Sequence, residues 1–456
     1  MKVDFKISKG ARWVSAAAFA AVGLRALFIA PVLDSTDAVN FALALRHFDL
    51  RLHQPHFPGY PLYVLAAQPF AWIASLPVAL ALPGVLSSAL LVGAVYRAVR
   101  GRAGEAAGIL SAWLVAVAPP LVEVGAAPGS DGLALALFAS AFALLFVATE
   151  RGMVLRPLAI AGGLAGLGLG VRPSAAPLLP SFFLLIALLA PGRRPLTTVL
   201  CGWALGTAIW LVPLVGLVGG RTLIDLGLVH IAGHFSTWGG AMGASPSVSG
   251  LGHRAVELLR HSATGLGPAI GLAAMLLLLY PRPRPRRTAL LWAAVALPYA
   301  IWVWLAQNVE RTRHAAPLTA ILCVAVALAV THSARGRSWA SCGAVASAAI
   351  LLLLQPRPAP WRRDAALWIQ QHLGLERVVL LGSHLPRVAH FYAPALRTGQ
   401  AVDGGDVARV ASALGNGVTV LASSEIPALQ RSDLQLQPLV QWGGRTLYAA
   451  HFVGKR

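Results

Sequence analysis

Apolar runs recur along this chain, and in such number only a lipid bilayer accommodates them. About eleven can be drawn, at residues 13–33, 78–96, 104–121, 132–149, 157–171, 174–190, 196–218, 263–280, 288–306, 315–331 and 338–354, most of them near the length of a transmembrane helix. Composition agrees: 57% of the 456 residues are hydrophobic and 12% are charged, too few charges to clothe a water-soluble surface. Intrinsic disorder, a collagen-like fibre and a disulfide scaffold are excluded. Cys201, Cys323 and Cys342 all lie within apolar runs and read as small packing residues. The expected fold class is an α-helical polytopic membrane protein with a small C-terminal soluble α/β domain.

The excess of 37 Lys+Arg over 17 Asp+Glu, +20 in all, does not call for nucleic acid as a partner. Basic residues in cytoplasmic loops set the orientation of membrane helices. Lys2, Lys6, Lys9 and Arg12 precede the first run, which places the N-terminus in the cytoplasm. An odd number of spans then places the C-terminus outside. In this drawing Arg97, Arg100, Arg102, Arg151, Arg156, Arg193 and Arg194 fall inside, together with the basic stretches near 282–287 and 335–337. Asp34, Asp37, Glu123, Asp131, Glu257 and Glu310 fall outside, with every histidine before the tail except His332. Long outer loops collect polar residues of any kind, but orientation does not require acids and histidines to segregate, so the outer face is where a site is expected. Arg25, within the first run, should face the bundle or snorkel.

Two domains are expected. Residues 1–355 form the membrane module. Residues 356–456 form an extracytoplasmic α/β domain that begins at the stiff linker Pro356-Arg-Pro-Ala-Pro-Trp361. In the tail, helical runs at 364–373 and 406–414 alternate with the strands Arg377-Val-Val-Leu-Leu381 and Val418-Thr-Val-Leu-Ala422. No dinucleotide-binding or P-loop motif is present. Because the tail carries no recognisable catalytic motif, chemistry is expected to survive its removal, while acceptor choice or stability suffers.

Chemistry concentrates in the outer segments. Asp34 and Asp37 follow the first run and precede an amphipathic stretch, then the turn His53-Gln-Pro-His56-Phe-Pro-Gly-Tyr60-Pro-Leu-Tyr63. A carboxylate at a membrane surface can take the proton of an acceptor hydroxyl, and Asp is also a common helix cap. Residues 60–73 can lie along the membrane interface. Asp131 ends a second acidic stretch that starts at Glu123, and is a candidate ligand for a divalent cation such as Mg or Mn, or a helix cap. Arg172-Pro173 follows the glycine-rich run 162–170, whose glycines permit close helix packing. His230 and His234 stand four residues apart, but Ile231 takes the place where a metalloprotease has Glu; Trp238 beside them suits a lid stacking on sugar or lipid. Asn308-Val-Glu-Arg311-Thr-Arg313-His314 precedes a further span, and guanidinium groups there match phosphate oxygens.

Taken together these stretches resemble the GT-C superfamily of polyprenyl-phosphate-sugar-dependent glycosyltransferases, which includes protein O-mannosyltransferases and the aminoarabinose transferase of lipid A. Asp37-Ala-Val-Asn-Phe41 resembles their Asp-Glu-x-x-Tyr/Phe motif in the first outer loop, with Ala38 where many members have Glu. Pro55-His-Phe-Pro-Gly-Tyr-Pro-Leu-Tyr63 resembles a signature of the O-mannosyltransferase branch, and Arg311-Thr-Arg313-His314 with Pro317 an Arg-Tyr-x-x-Pro element. The resemblance covers about residues 10–355. It implies a transferase that moves a sugar from a polyprenyl-phosphate donor to a protein, lipid or glycan hydroxyl, with Asp37 or Asp34 as the base. His53, His56, Tyr60, Arg172, His234, Trp238, Arg311, Arg313 and His314 are the candidate substrate-binding residues, and the setting is a bacterial inner membrane. Two other classes compete: a transporter or flippase, which tends to carry midplane charges and paired repeats, and a non-catalytic assembly protein of the same fold.

Overall fold

A computed structural model of the chain describes residues 9–242, 250–279, 286–333, 338–355, 360–414, 418–442 and 444–453. The chain enters with α1 (Lys9–Leu27), α2 (Thr36–Arg46), α3 (Pro61–Ala67), α4 (Leu76–Ala103), α5 (Glu105–Val117) and α6 (Pro119–Ala126). Next come α7 (Asp131–Glu150), α8 (Leu155–Val171), α9 (Leu178–Leu189), α10 (Arg193–Val218) and α11 (Gly220–Gly233). The bundle continues through α12 (Leu251–Ala263), α13 (Gly267–Leu279), α14 (Arg286–Ala306), α15 (Thr312–Ser333) and α16 (Ser338–Leu354). The tail contributes α17 (Trp361–His372), β1 (Val378–Gly382), α18 (Leu385–Tyr392), β2 (Arg397–Gln400), α19 (Gly404–Leu414), β3 (Thr419–Ser423), β4 (Leu434–Trp442) and β5 (Arg445–Phe452).

Two compact units result. One comprises residues 1–29 and 47–355, the other 30–46 and 356–456. The segment that carries Asp34, Asp37 and α2 therefore belongs with the tail.

In the first unit a helix lies at each of the apolar runs read from the sequence. Among the described residues four helices are long and apolar enough to cross a bilayer on their own: α4, α7, α10 and α15 (as Thr312–His332). Two bent pairs, α5 with α6 at 57° and α12 with α13 at 95°, bring the number to six. Shorter apolar helices make up the rest. Helix α10 turns Leu205, Ile209 and Val212 outward, each more than half exposed, as a lipid-facing helix does. Its other face meets α8. There the peptide backbone of Val199 and Trp203 leaves no room for a Cβ at Gly162 or Gly166, so the glycine run acts as a packing seam.

The break between α5 and α6 has a specific cause. Pro119 and Pro120 have no N–H, which deprives the carbonyls of Val115 and Ala116 of their i+4 donors. Arg25, 1% exposed, supplies both: Nη2 donates to Val115 O at 3.2 Å and Nη1 to Ala116 O at 3.0 Å. The charge faces the bundle, as expected, because its partners are carbonyls that hydrocarbon could not satisfy.

In the second unit the five strands lie in the order β2-β1-β3-β5-β4. Strand β1 pairs in parallel with β2 and β3, while β5 is antiparallel to both β3 and β4. Every residue of β1 is buried, as befits a strand covered on both faces. Val378 and Leu380 point to α17 and α18, where Ala365, Ile369, Leu385 and Ala389 meet them. Val379 and Leu381 point to the opposite face, under Val407, Ala408 and Ala411 of α19.

Candidate active site

In the first unit three stretches far apart in sequence meet at one end of the helices. Arg172 ends α8, since Pro173 disfavours helical geometry in the residue before it. Its Nη1 lies 2.9 Å from Oδ2 of Asp131, the first residue of α7, and 3.3 Å from Ser130 Oγ. Both side chains are only about 15% exposed (15% and 14%), so this is a screened pair rather than a solvated one. The charges of Arg172 and Asp131 both act on Tyr299, and that of Asp131 also reaches Tyr63. Tyr299 Oη donates to His314 O at 3.1 Å. The His314 ring contacts Asn308 O through Nδ1 at 2.8 Å, and Arg313, Arg172 and Arg311 all act on it electrostatically. Arg311 and Arg313 are themselves exposed. Arg172, Arg311, Arg313, His314 and Asp131 are thus brought together. Sequence reasoning missed Tyr299, which lies inside an apolar stretch with no motif around it, and read Tyr63 only as the last residue of the signature that begins at Pro55.

The Asp131 carboxylate is engaged by a guanidinium, and among the described residues no three His, Cys, Asp or Glu side chains gather where an ion could be held.

The turn that carries Arg311 follows the C-terminus of α14, whose last carbonyls have no intrahelical donors. His234, Met242 and Arg254 approach them from outside the helix. His234 Nε2 contacts Ala306 O at 2.8 Å, and the Met242 amide donates to Leu305 O at 3.0 Å. Arg254, 1% exposed, donates to Trp304 O at 2.7 Å, Gln307 O at 2.6 Å and Gly240 O at 3.0 Å. His234 is therefore seated against a helix end. Its ring stacks on that of His230 at 6.5 Å, and His230 in turn meets Phe57 at 5.2 Å. Arg254 was not singled out from the sequence. The side chain of Trp238 lies outside the described residues. His56 and Tyr60 form a pair of their own, Nε2 to Oη at 3.2 Å, with Tyr60 held at φ 47° where α3 begins. His53, also at positive φ (55°), closes the short turn Leu50–Leu52 and is exposed.

The second unit holds the two acids of the first outer segment. Helix α2 is capped by neither of them: Ser35 accepts the Ala38 amide on Oγ at 3.2 Å and the Val39 amide on its carbonyl at 3.0 Å. Asp34 caps α17 instead. Its Oδ1 accepts the amides of Arg362 and Arg363 at 2.9 and 3.0 Å, while the Arg362 side chain returns to Asp34 O at 3.0 Å. Burial pushes the Asp34 carboxyl above its ordinary range, against the opposing pull of those amides and of Arg362. Asp37, in the first turn of α2, is half-buried, and Ala38 beside it is 1% exposed.

These features describe a multi-pass membrane protein, and comparison with solved structures gives it the GT-C fold. Residues 61–217 match the family model for dolichyl-phosphate-mannose-protein mannosyltransferases. The ArnT of Cupriavidus metallidurans, solved with undecaprenyl phosphate bound, superposes with a TM-score of 0.60 at 13% identity, covering 96% of this chain and 97% of that one. The Archaeoglobus fulgidus oligosaccharyltransferase tethered to an acceptor peptide gives 0.51 at 16% identity, over 92% and 69% of the two chains. The mycobacterial arabinofuranosyltransferase AftD gives 0.50 at 15% identity, over 97% of this chain and 42% of that one. No curated protein matches the chain by sequence.

Proposed function

We propose that the chain is an integral-membrane glycosyltransferase of the bacterial inner membrane. It takes a sugar from a polyprenyl-phosphate donor and transfers it, at the extracytoplasmic face and with inversion, to a hydroxyl on a protein, lipid or glycan. The acceptor oxygen attacks the anomeric carbon, Asp37 takes its proton, and the bond to the phosphate oxygen breaks. Arg172, Arg311 and Arg313 hold the negative charge of the departing polyprenyl phosphate. The observation that carries this reading is the cluster of Asp131, Arg172, Arg311, Arg313 and His314, assembled from the ends of α7, α8 and α15 in a chain of GT-C fold. Lipid phosphates are bound by relatives of that fold.

The test is turnover of polyprenyl-phosphate-linked mannose and aminoarabinose, tritiated in the sugar, by purified protein in nanodiscs. Asp37→Asn keeps size and most hydrogen bonding but cannot accept the proton. Turnover should fall about a hundredfold or more, with donor binding retained. A wild-type rate for Asp37→Asn, or no turnover of any such donor by the wild type, overturns the reading.

A further inference from the structure

The segment that carries Asp37 is fastened along its length to the C-terminal α/β unit. At its start the Leu33 amide donates to Tyr392 Oη at 2.9 Å, and Asp34 caps α17 through two amides. Thr36 Oγ1 meets His384 Nδ1 at 3.2 Å. In the middle Asn40, 4% exposed, accepts from Arg387 Nε at 2.8 Å. At the end the Arg46 guanidinium lies over the Phe391 ring, 5.8 Å from its centroid. Four of these partners belong to α18 or the residue before it. That helix packs Leu385 and Ala389 into the core of the sheet domain, so its surface is a rigid one.

A helix of eleven residues is marginal by itself in water. Helix α2 therefore owes its fixed position to what it is tied to. We infer that the C-terminal unit is a positioning element for Asp37, with Arg387, Tyr392 and His384 as positioning residues, so that it sets the rate of sugar transfer and leaves donor affinity alone. The inference rests on Asp37 being the base. Chemistry is then not expected to survive loss of residues 356–456, in contrast to the expectation from sequence, which could not see that residues 30–46 join the tail.

The experiment uses the full-length protein in nanodiscs with Tyr392→Phe, Arg387→Met and Arg387→Lys, each removing or altering one contact. Hydrogen exchange of peptides covering 30–46 is followed beside turnover of tritiated polyprenyl-phosphate mannose and aminoarabinose. Arg387→Met should speed exchange in 30–46 tenfold or more, leave α7 and α8 unchanged, and lower kcat at least tenfold with the donor KM within twofold. Tyr392→Phe should speed exchange at Leu33, and Arg387→Lys, which keeps a donor, should recover most of the rate. Unchanged exchange in 30–46 overturns the inference. So does faster exchange with unchanged kcat, when Asp37→Asn is inactive in the same assay. If Asp37→Asn works at the wild-type rate, the base assignment fails separately, and so does the rate-setting role built on it.

Discussion

Asp34 and Asp37 stand three residues apart, yet their surroundings give them different work. Asp34 Oδ1 is engaged by the first amides of α17, whereas Asp37 lies in a helix that Ser35 already caps. Burial raises the Asp34 carboxyl above its ordinary value of 3.8. A carboxyl raised in the folded protein binds its proton more tightly there than in the unfolded chain. Ionisation of Asp34 therefore lowers stability as pH climbs from the ordinary value to the raised one, with no further slope above it. Asp34→Asn keeps an oxygen for the two amides and removes the titration. It should match or exceed the wild type in thermal unfolding at pH 7, with the advantage shrinking at pH 4; the opposite trend would show that Arg362, not burial, governs this carboxylate. Asp34→Ala loses the cap and should cost about 1 kcal/mol at either pH.

At the scale of elements, His234, Met242 and Arg254 cap the C-terminus of α14. Arg254→Met leaves the carbonyls of Trp304 and Gln307 without their charged donor, at a cost of about 2 kcal/mol or more. Because the Arg311 turn follows directly, the proposed lipid-phosphate site should take undecaprenyl phosphate roughly tenfold more weakly, the scale of one lost charge-assisted hydrogen bond. Arg254→Lys should fall in between, and isothermal titration in nanodiscs reads all three. An unchanged affinity in a destabilised Arg254→Met protein would confine Arg254 to folding. Elements of this kind differ in how far the sequence exposes them. The apolar runs announce their helices, since hydropathy acts over whole turns. Strand β1 and strand β3 are equally plain, as short runs of Val, Leu and Ala. Strands β2, β4 and β5 are not: Arg-Thr-Gly-Gln in β2 is mostly exposed, and the polar residues of β4 hide its pairing with β5. The candidate arginines were legible because arginine beside an apolar span needs a reason. Arg254 escaped because it sits in an amphipathic helix, where arginine is ordinary, and its partners are backbone carbonyls without a sequence signature.

For the whole molecule, the arginine-rich loops predict a cytoplasmic N-terminus and an extracytoplasmic tail. A phosphatase fused after residue 355 should be active, and a fluorescent protein that matures only in the cytoplasm should stay dark there. The reverse pattern would remove an odd number of spans from this drawing and displace the proposed site. The tail also shows what no local pattern reveals. Residues 30–46 read as part of the membrane module because hydropathy and motif order place them between spans. Their side chains find their partners in a domain made from the other end of the chain.

That arrangement carries a consequence for biosynthesis. Asp34 leaves the ribosome 328 residues ahead of the Arg362 amide that it caps. Through most of translation the segment bearing Asp37 waits beside a growing bundle with its partners unmade. A chain cut short anywhere before the sheet domain can insert its helices and still lack a fixed acid. If Asp37 is the base, as proposed, competence to react waits for the sheet domain, and a half-made copy holds inserted helices without catalysis.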